Sequence, residues 1–199
     1  ATTGNGDRTD QLRVLVTPND GTVNGTQFTS SFVTVANSAP SPTVVPPPPG
    51  PTTNQTVTAT ATRSDADGDA TTLTYVWKVN GTTVRTSAAS SSLTDTLDLS
   101  LGGNGNRGDV VRVEVTPNDG TVAGSTVNDS VTVGNSAPSA TVDLSPNVPT
   151  TNQMLTATAT KADADGDAVT LTFVWKNGST VVRTTSGTGA LTDTLDLSL

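Results

Sequence analysis

The sequence predicts an all-β protein built from repeated sandwich domains, on three observations. Apolar and hydroxyl-bearing residues alternate with period two, as in the TVTATAT run from Thr56 to Thr62, the pattern of a half-buried strand. Roughly three residues in ten are Thr or Ser, and the high β-propensity of Thr makes this strand composition with a hydroxyl-covered outer face. The chain also repeats itself at a spacing of about 98 residues. Trp77 returns as Trp175, Asp65-Ala66-Asp67-Gly68-Asp69 as Asp163-Ala164-Asp165-Gly166-Asp167, and Asn37-Ser38-Ala39-Pro40 as Asn135-Ser136-Ala137-Pro138. The run Thr94–Leu101 is repeated unchanged as Thr192–Leu199. A period of that length is a whole domain, well beyond the roughly 20–50 residues of a solenoid turn.

Residues 41–134 contain one entire copy, and its strands can be taken in order. A short extended segment around Val44, repeated around Val142, opens it. Thr56–Thr62 follows with Val57, Ala59 and Ala61 inward. Leu73, Tyr75 and Trp77 share a face of the next strand, repeated as Leu171, Phe173 and Trp175. Asn80-Gly81 is a two-residue hairpin signal, because both turn positions need positive φ, and it leads into Thr82–Thr86. Leu93–Leu101 points Leu97 and Leu99 inward and Asp98 out. Val110–Thr116 buries Val111, Val113 and Val115 and gives Arg112 and Glu114 to water. Asn118-Asp119-Gly120 turns the chain into Val127–Val133. No stripe with helical period is present. Seven short strands with a Trp on the third predict an immunoglobulin-like sandwich without its disulfide, the Trp serving as core.

The phase of the repeat sets the expected organisation. Residues 1–36 match the last strands of a sandwich, 37–40 form a linker, and 41–134 are complete. Residues 135–138 are a second linker, and 139–199 match the first strands of a following sandwich, to be completed by residues equivalent to 1–36 of the next copy. Either of two arrangements gives a fibre: a longer covalent array, or subunits that exchange strands. With Ala first and Met154 the only methionine, the chain reads as a processed product or an interior piece. Pro46–Pro49 replace part of a first edge strand, and polyproline II backbone fits them, since Pro has no amide hydrogen for a ladder.

Composition narrows the function classes. The net charge is −8, which opposes nucleic-acid binding, where Lys and Arg must neutralise phosphates. No apolar run approaches the ~20 residues of a membrane-spanning helix. Histidine and cysteine are absent, removing the commonest general base, the commonest transition-metal ligand and all thiol chemistry. With no nucleophile elbow and no phosphate-binding glycine loop, the sequence predicts that the protein is not an enzyme.

The acidic clusters Asp65, Asp67, Asp69 and Asp163, Asp165, Asp167 are the candidate metal ligands, joined by Asp119 and its counterpart Asp20. Like charges so close disfavour mutual ionisation unless a cation or hydrogen-bond donors compensate. Oxygen-only ligands suit a hard cation, and Ca2+ is the expected one. A solvated acidic turn, with Asp and Gly serving turn geometry, is the competing explanation. In an immunoglobulin-like sandwich the loop after the second strand shares an end with the last hairpin and the incoming linker. Asp65–Asp69, Asn118-Asp119 and Asn37-Ser38 are therefore predicted to converge where one domain meets the preceding one.

The Asp65–Trp77 stretch, the VTPNDG turn ending at Gly120 and the NSAP linker resemble the tandem immunoglobulin-like and PKD-like (also cadherin-like) repeats of giant bacterial surface proteins, adhesins and filaments. That resemblance covers nearly the whole chain and implies extracellular or cell-surface scaffolding, not chemistry. The expected function is a structural repeat unit of an extracellular filament, stalk or fibrous surface protein, its partners being head-to-tail copies of itself. The alternative is an adhesive module for a glycan or a partner cell surface. Near-uniform repeats favour the spacer, because a binder should carry one divergent loop. N-x-Ser/Thr sequons at Asn24, Asn54, Asn80, Asn128 and Asn177 mark possible glycan sites.

Overall fold

The structure, a computed structural model, describes residues 6–45 and 47–198. Among these residues there is no helix, and every regular element is a strand. An N-terminal group holds β1 (Gln11–Leu12), β2 (Leu15–Val16), β3 (Phe28–Thr29) and β4 (Val33–Thr34). β1 pairs with β4 and β2 with β3, both antiparallel.

The central group contains β5 (Ser41–Val45), β6 (Thr56–Ser64), β7 (Thr72–Val79), β8 (Thr82–Ser90), β9 (Thr94–Asp98), β10 (Val110–Asn118) and β11 (Val127–Thr132). They form a three-stranded sheet in the order β5-β6-β9 and a four-stranded sheet in the order β11-β10-β7-β8. The two sheets enclose one core. Val57, Ala59, Ala61 and Leu97 come from the smaller sheet, and Leu73, Tyr75, Trp77, Val111, Val113 and Val115 from the larger. Every one of these is buried, as the period-two pattern requires. Complete burial of each large side chain contributes about 1.5–3 kcal/mol.

A polar clamp joins the sheets where no disulfide exists. Trp77 Nε1 on β7 donates to Asp95 Oδ2 on β9 at 2.8 Å, and Arg85 on β8 lies 3.1 Å from the other oxygen of the same carboxylate. The indole thus buries its ring and still satisfies its N–H. Trp175 and Asp193 repeat the bond at 2.7 Å, with Arg183 3.1 Å away.

Some boundaries differ from those expected. Asn80 (φ 49°) and Gly81 (φ 85°) form the anticipated turn. β8 runs on to Ser90, absorbing register shifts against β7. β9 stops at Asp98 instead of Leu101, because Asp98 Oδ1 accepts from the amide and hydroxyl of Ser100 (2.9 and 2.7 Å) and turns the chain out of the ladder. Leu99 stays buried just past the strand end. Pro47–Pro49 lie outside any strand, and Pro46 lies outside the described residues. Where no prolines intervene, the counterpart strand is longer.

That counterpart opens the C-terminal group: β12 (Ser139–Ser145), β13 (Met154–Ala162), β14 (Leu171–Asn177), β15 (Thr180–Thr188) and β16 (Thr192–Asp196). Its sheets run β12-β13-β16 and β14-β15. The core is thinner. Phe173 is 9% and Trp175 8% exposed, against 0% for Tyr75 and Trp77. The cause is one missing neighbour: β7 is flanked by β8 and β10, whereas β14 pairs with β15 alone among the described residues.

Candidate functional site: an acidic seam between strand groups

The loop between β6 and β7 carries Asp65, Asp67 and Asp69, and its shape is set by the first of them. Asp65 Oδ1 accepts from the amides of Asp67 (2.9 Å) and Asp69 (3.2 Å), folding the loop back on its own carboxylate. Asp163 does the same for Asp165 (2.8 Å) and Asp167 (3.3 Å) in the loop between β13 and β14. Asp65 and Asp163 organise the turns, and the other four carboxylates face outward along the chain.

What they face is the strand group before them. At the first seam the Ser38 amide donates to Asp67 Oδ2 at 2.6 Å, and Asn37 Nδ2 donates to Asp119 Oδ2 at 2.8 Å. Arg8 Nη1, from the N-terminal group, reaches Asn37 Oδ1 (3.0 Å), Thr121 Oγ1 (3.2 Å) and Asp69 Oδ2 (3.0 Å). The expected convergence of the acidic loop, the last hairpin and the linker is present. Asp119 also caps its own turn, accepting from the amides of Thr121 and Val122 at 2.7 Å each.

The second seam uses counterpart atoms. The Ser136 amide donates to Asp165 Oδ2 at 2.6 Å, and Arg107 reaches Asn135 Oδ1 (3.0 Å) and Asp167 Oδ2 (2.9 Å). Thr53, itself buried, donates its hydroxyl to Asp165 Oδ1 and its amide to Ser136 Oγ (3.2 Å), and Asn106 Nδ2 reaches the Asp165 carbonyl (3.3 Å). Each arginine is presented by a short loop pinned by an aspartate: Asp10 Oδ2 accepts from the Asp7 amide and Asp109 Oδ2 from the Asn106 amide, both at 2.8 Å.

The donors leave an electrostatic mark. The Thr53 hydroxyl holds the Asp165 carboxyl below the usual Asp range, helped by the Ser136 amide and hydroxyl and by Arg107, while burial opposes them. Asp119 is lowered first by the Asn37 amide and then by the backbone of Val122 and Thr121. These carboxylates are therefore held in the charged form by hydrogen bonds.

Of the candidate metal ligands, Asp65, Asp67 and Asp69 offer oxygens within 4.8 Å of one another, and so do Asp163, Asp165 and Asp167. Asp65 Oδ2 and Asp69 Oδ2 are buried without a hydrogen bond, the contact of Asp69 with Arg8 being an ion contact off the N–H direction. Asp119 joins the first seam through Asn37 and belongs to neither trio. Asp20 lies exposed in the N-terminal group, where its Oδ1 accepts from the amides of Thr22 and Val23 (2.9 Å each). The sequons are all at exposed asparagines. Two of them have structural duties: Asn80 Nδ2 donates to Asp109 (2.7 Å), and Asn24 Oδ1 accepts from Asn19 (2.7 Å).

Sequence reasoning did not single out Arg8, Arg107, Thr53 or Asn106. A signal existed for the arginines, which occupy counterpart places just before Asp10 and Asp109. No protein-family model matches the chain, and no curated protein matches it.

Proposed function

We propose that the chain is a structural repeat unit of an extracellular or cell-surface filament or stalk. In it, seven-stranded immunoglobulin-like sandwiches, of the PKD-like kind that the sequence resembles, follow one another head to tail at a spacing of about 98 residues. One observation carries this proposal: each acidic loop is met, twice over and with counterpart atoms, by the linker before it (Ser38 to Asp67 and Ser136 to Asp165 at 2.6 Å each) and by the preceding strand group through Arg8 and Arg107. A head-to-tail contact that recurs without closing on itself propagates a linear array. The polar groups at the domain ends are spent on holding neighbours, which is what a spacer needs.

Small-angle scattering tests the proposal. The chain should scatter as an extended particle, its maximum dimension unchanged between low and moderate salt because backbone amides share the seam with the ion pairs. Scattering from collapsed or freely hinged segments would contradict it.

Ca2+ at the aspartate trios belongs to the same proposal. Each trio sets three carboxylates against one guanidinium, and Asp65 Oδ2 has no donor of its own, so a divalent cation would complete the charge balance. Calorimetric titration with Ca2+ into chelator-treated protein tests this directly, and an absence of binding heat would remove the metal from the proposal.

A further inference from the structure

We propose that residues 6–36 of one copy complete the sandwich formed by residues 139–198 of a second copy, adding a strand to the open edge of β14. This rests on the tandem-sandwich proposal and names its partner as another molecule of the same chain.

The receiving surface is an open apolar groove of about 430 Å³ beside β14, lined by Val142, Leu144, Ala157, Ala159, Phe173 and Trp175. The central group contains the same place already filled. There β10 pairs with β7, setting Val113 opposite Trp77 and Val115 opposite Tyr75, all four buried. The counterparts of Val111, Val113 and Val115 are Leu12, Val14 and Val16, which are 45%, 58% and 56% exposed. A row of apolar side chains matched to a fully buried row, yet facing water, is a strand without its sheet. Keeping the β7–β10 register sets Val14 opposite Trp175 and Val16 opposite Phe173. On the outer face, Leu15 stands where β10 has Glu114, and its partner becomes Val174; both are now exposed, at 47% and 48%.

The seam gives a second, polar match. Asn37 Nδ2 donates to Asp119 Oδ2, but its counterpart Asn135 Nδ2 reaches only the Ser136 carbonyl (2.8 Å). The counterpart of Asp119 is Asp20, whose Oδ1 already holds the same turn and whose Oδ2 is the matching acceptor. Backbone packing gives a third. Pro40 is fully buried and its carbonyl passes so close to Gly124 that a Cβ there would meet it at 1.8 Å. Pro138 is exposed, and a Cβ at Gly25, the counterpart of Gly124, would have atoms of Pro18 as its three nearest neighbours, at 3.0–3.9 Å. Residues 18–25 are shaped for a linker they do not touch in this chain.

One chain cannot supply both halves. Arg8 is tied to the end of the central sandwich bearing Asp69 and Thr121, and Asp167 is tied to the end bearing Arg107. The nine residues of β10 separate these ends, about 30 Å at strand rise. A second copy removes the conflict, and repetition gives an open chain of molecules.

Sedimentation of the 199-residue chain across a concentration series, with electron microscopy of the same samples, tests the inference. The wild type should assemble beyond its single-chain mass of 20.0 kDa. Val14→Asp should sediment as one chain at every concentration, because a charge at an exposed position spares the monomer but cannot enter the groove. Val148→Asp, at a position 87% exposed and outside the groove lining, should assemble like wild type. Amide exchange in β14 should slow at least tenfold on assembly. A wild type that stays monomeric, or a Val14→Asp variant that assembles equally well, overturns the inference. An extended monomer would do so while leaving the array proposal standing, and a hinged monomer would sink both.

Discussion

Arg8 Nη1 lies 3.0 Å from Asp69 Oδ2, joining a loop of the N-terminal strands to the acidic loop of the central sandwich across 61 positions of sequence. Two like-charged aspartates per loop would repel a neighbour that offered nothing in return. The guanidinium and the linker amides turn the acidic cluster from a liability into the joint.

Removing the guanidinium should loosen the joint more than the fold. Arg107 is 51% exposed in its side chain, so Arg107→Ala should cost at most about 1 kcal/mol of global stability. The Ser136 amide should exchange several-fold faster, while amides of β10 keep their protection. Equal acceleration in both places would mean that the seam and the core unfold together.

The inter-sheet clamp predicts a graded result. Trp77→Phe removes ring volume and the donor to Asp95 from a fully buried site, at a cost of about 2–4 kcal/mol. Trp175→Phe should cost less, because Trp175 is already partly exposed. Denaturant melts of the two variants give the comparison, and equal losses would contradict the packing difference described for β7 and β14.

Acid should release the seams late. Asp165 and Asp119 have lowered pKa values in the folded chain, so in acid the unfolded chain binds protons first. The stability they contribute is therefore fully present above the ordinary Asp value of 3.8 and lost as pH falls through the lower folded values. The chemical shift of the Ser136 amide should stay constant from neutral pH down to about 4 and move only below that. A transition near pH 6 would point to other groups.

Gly124→Ala should disturb the first linker specifically. The added methyl would meet the Pro40 carbonyl at 1.8 Å and Pro117 Cγ at 2.8 Å, so backbone must move. A loss of about 1–3 kcal/mol follows, read by thermal melting, whereas Gly25→Ala should be milder in the single chain. Indistinguishable variants would show that the linker does not pack as described.

Much of this was legible in the sequence. Inward positions such as Val57, Leu73 and Val113 follow from alternation alone, and the Asn80-Gly81 turn follows from its φ requirement. The meeting of Asp67, Asp119 and Ser38 follows from strand order once a sandwich is assumed. The counterpart places of Arg8 and Arg107 could be seen, but their partners could not, because Arg107 finds Asp167 across 60 positions and no local pattern encodes that distance. Asp95 escaped notice for the same reason: its partner Trp77 lies in the opposite sheet. The early end of β9 is a local competition, won by Ser100 bonding to Asp98 over continued pairing.

The fixed joint between consecutive sandwiches is best measured by dipolar electron-spin spectroscopy. The chain has no cysteine, so Asn128→Cys and Thr158→Cys label the central and C-terminal groups uniquely. A single narrow distance distribution in wild type, diluted with unlabelled chain so that only label pairs within one molecule are read, and broadened by Arg107→Ala, is the expected result. A distribution already broad in wild type would contradict a seam that fixes one sandwich against the next.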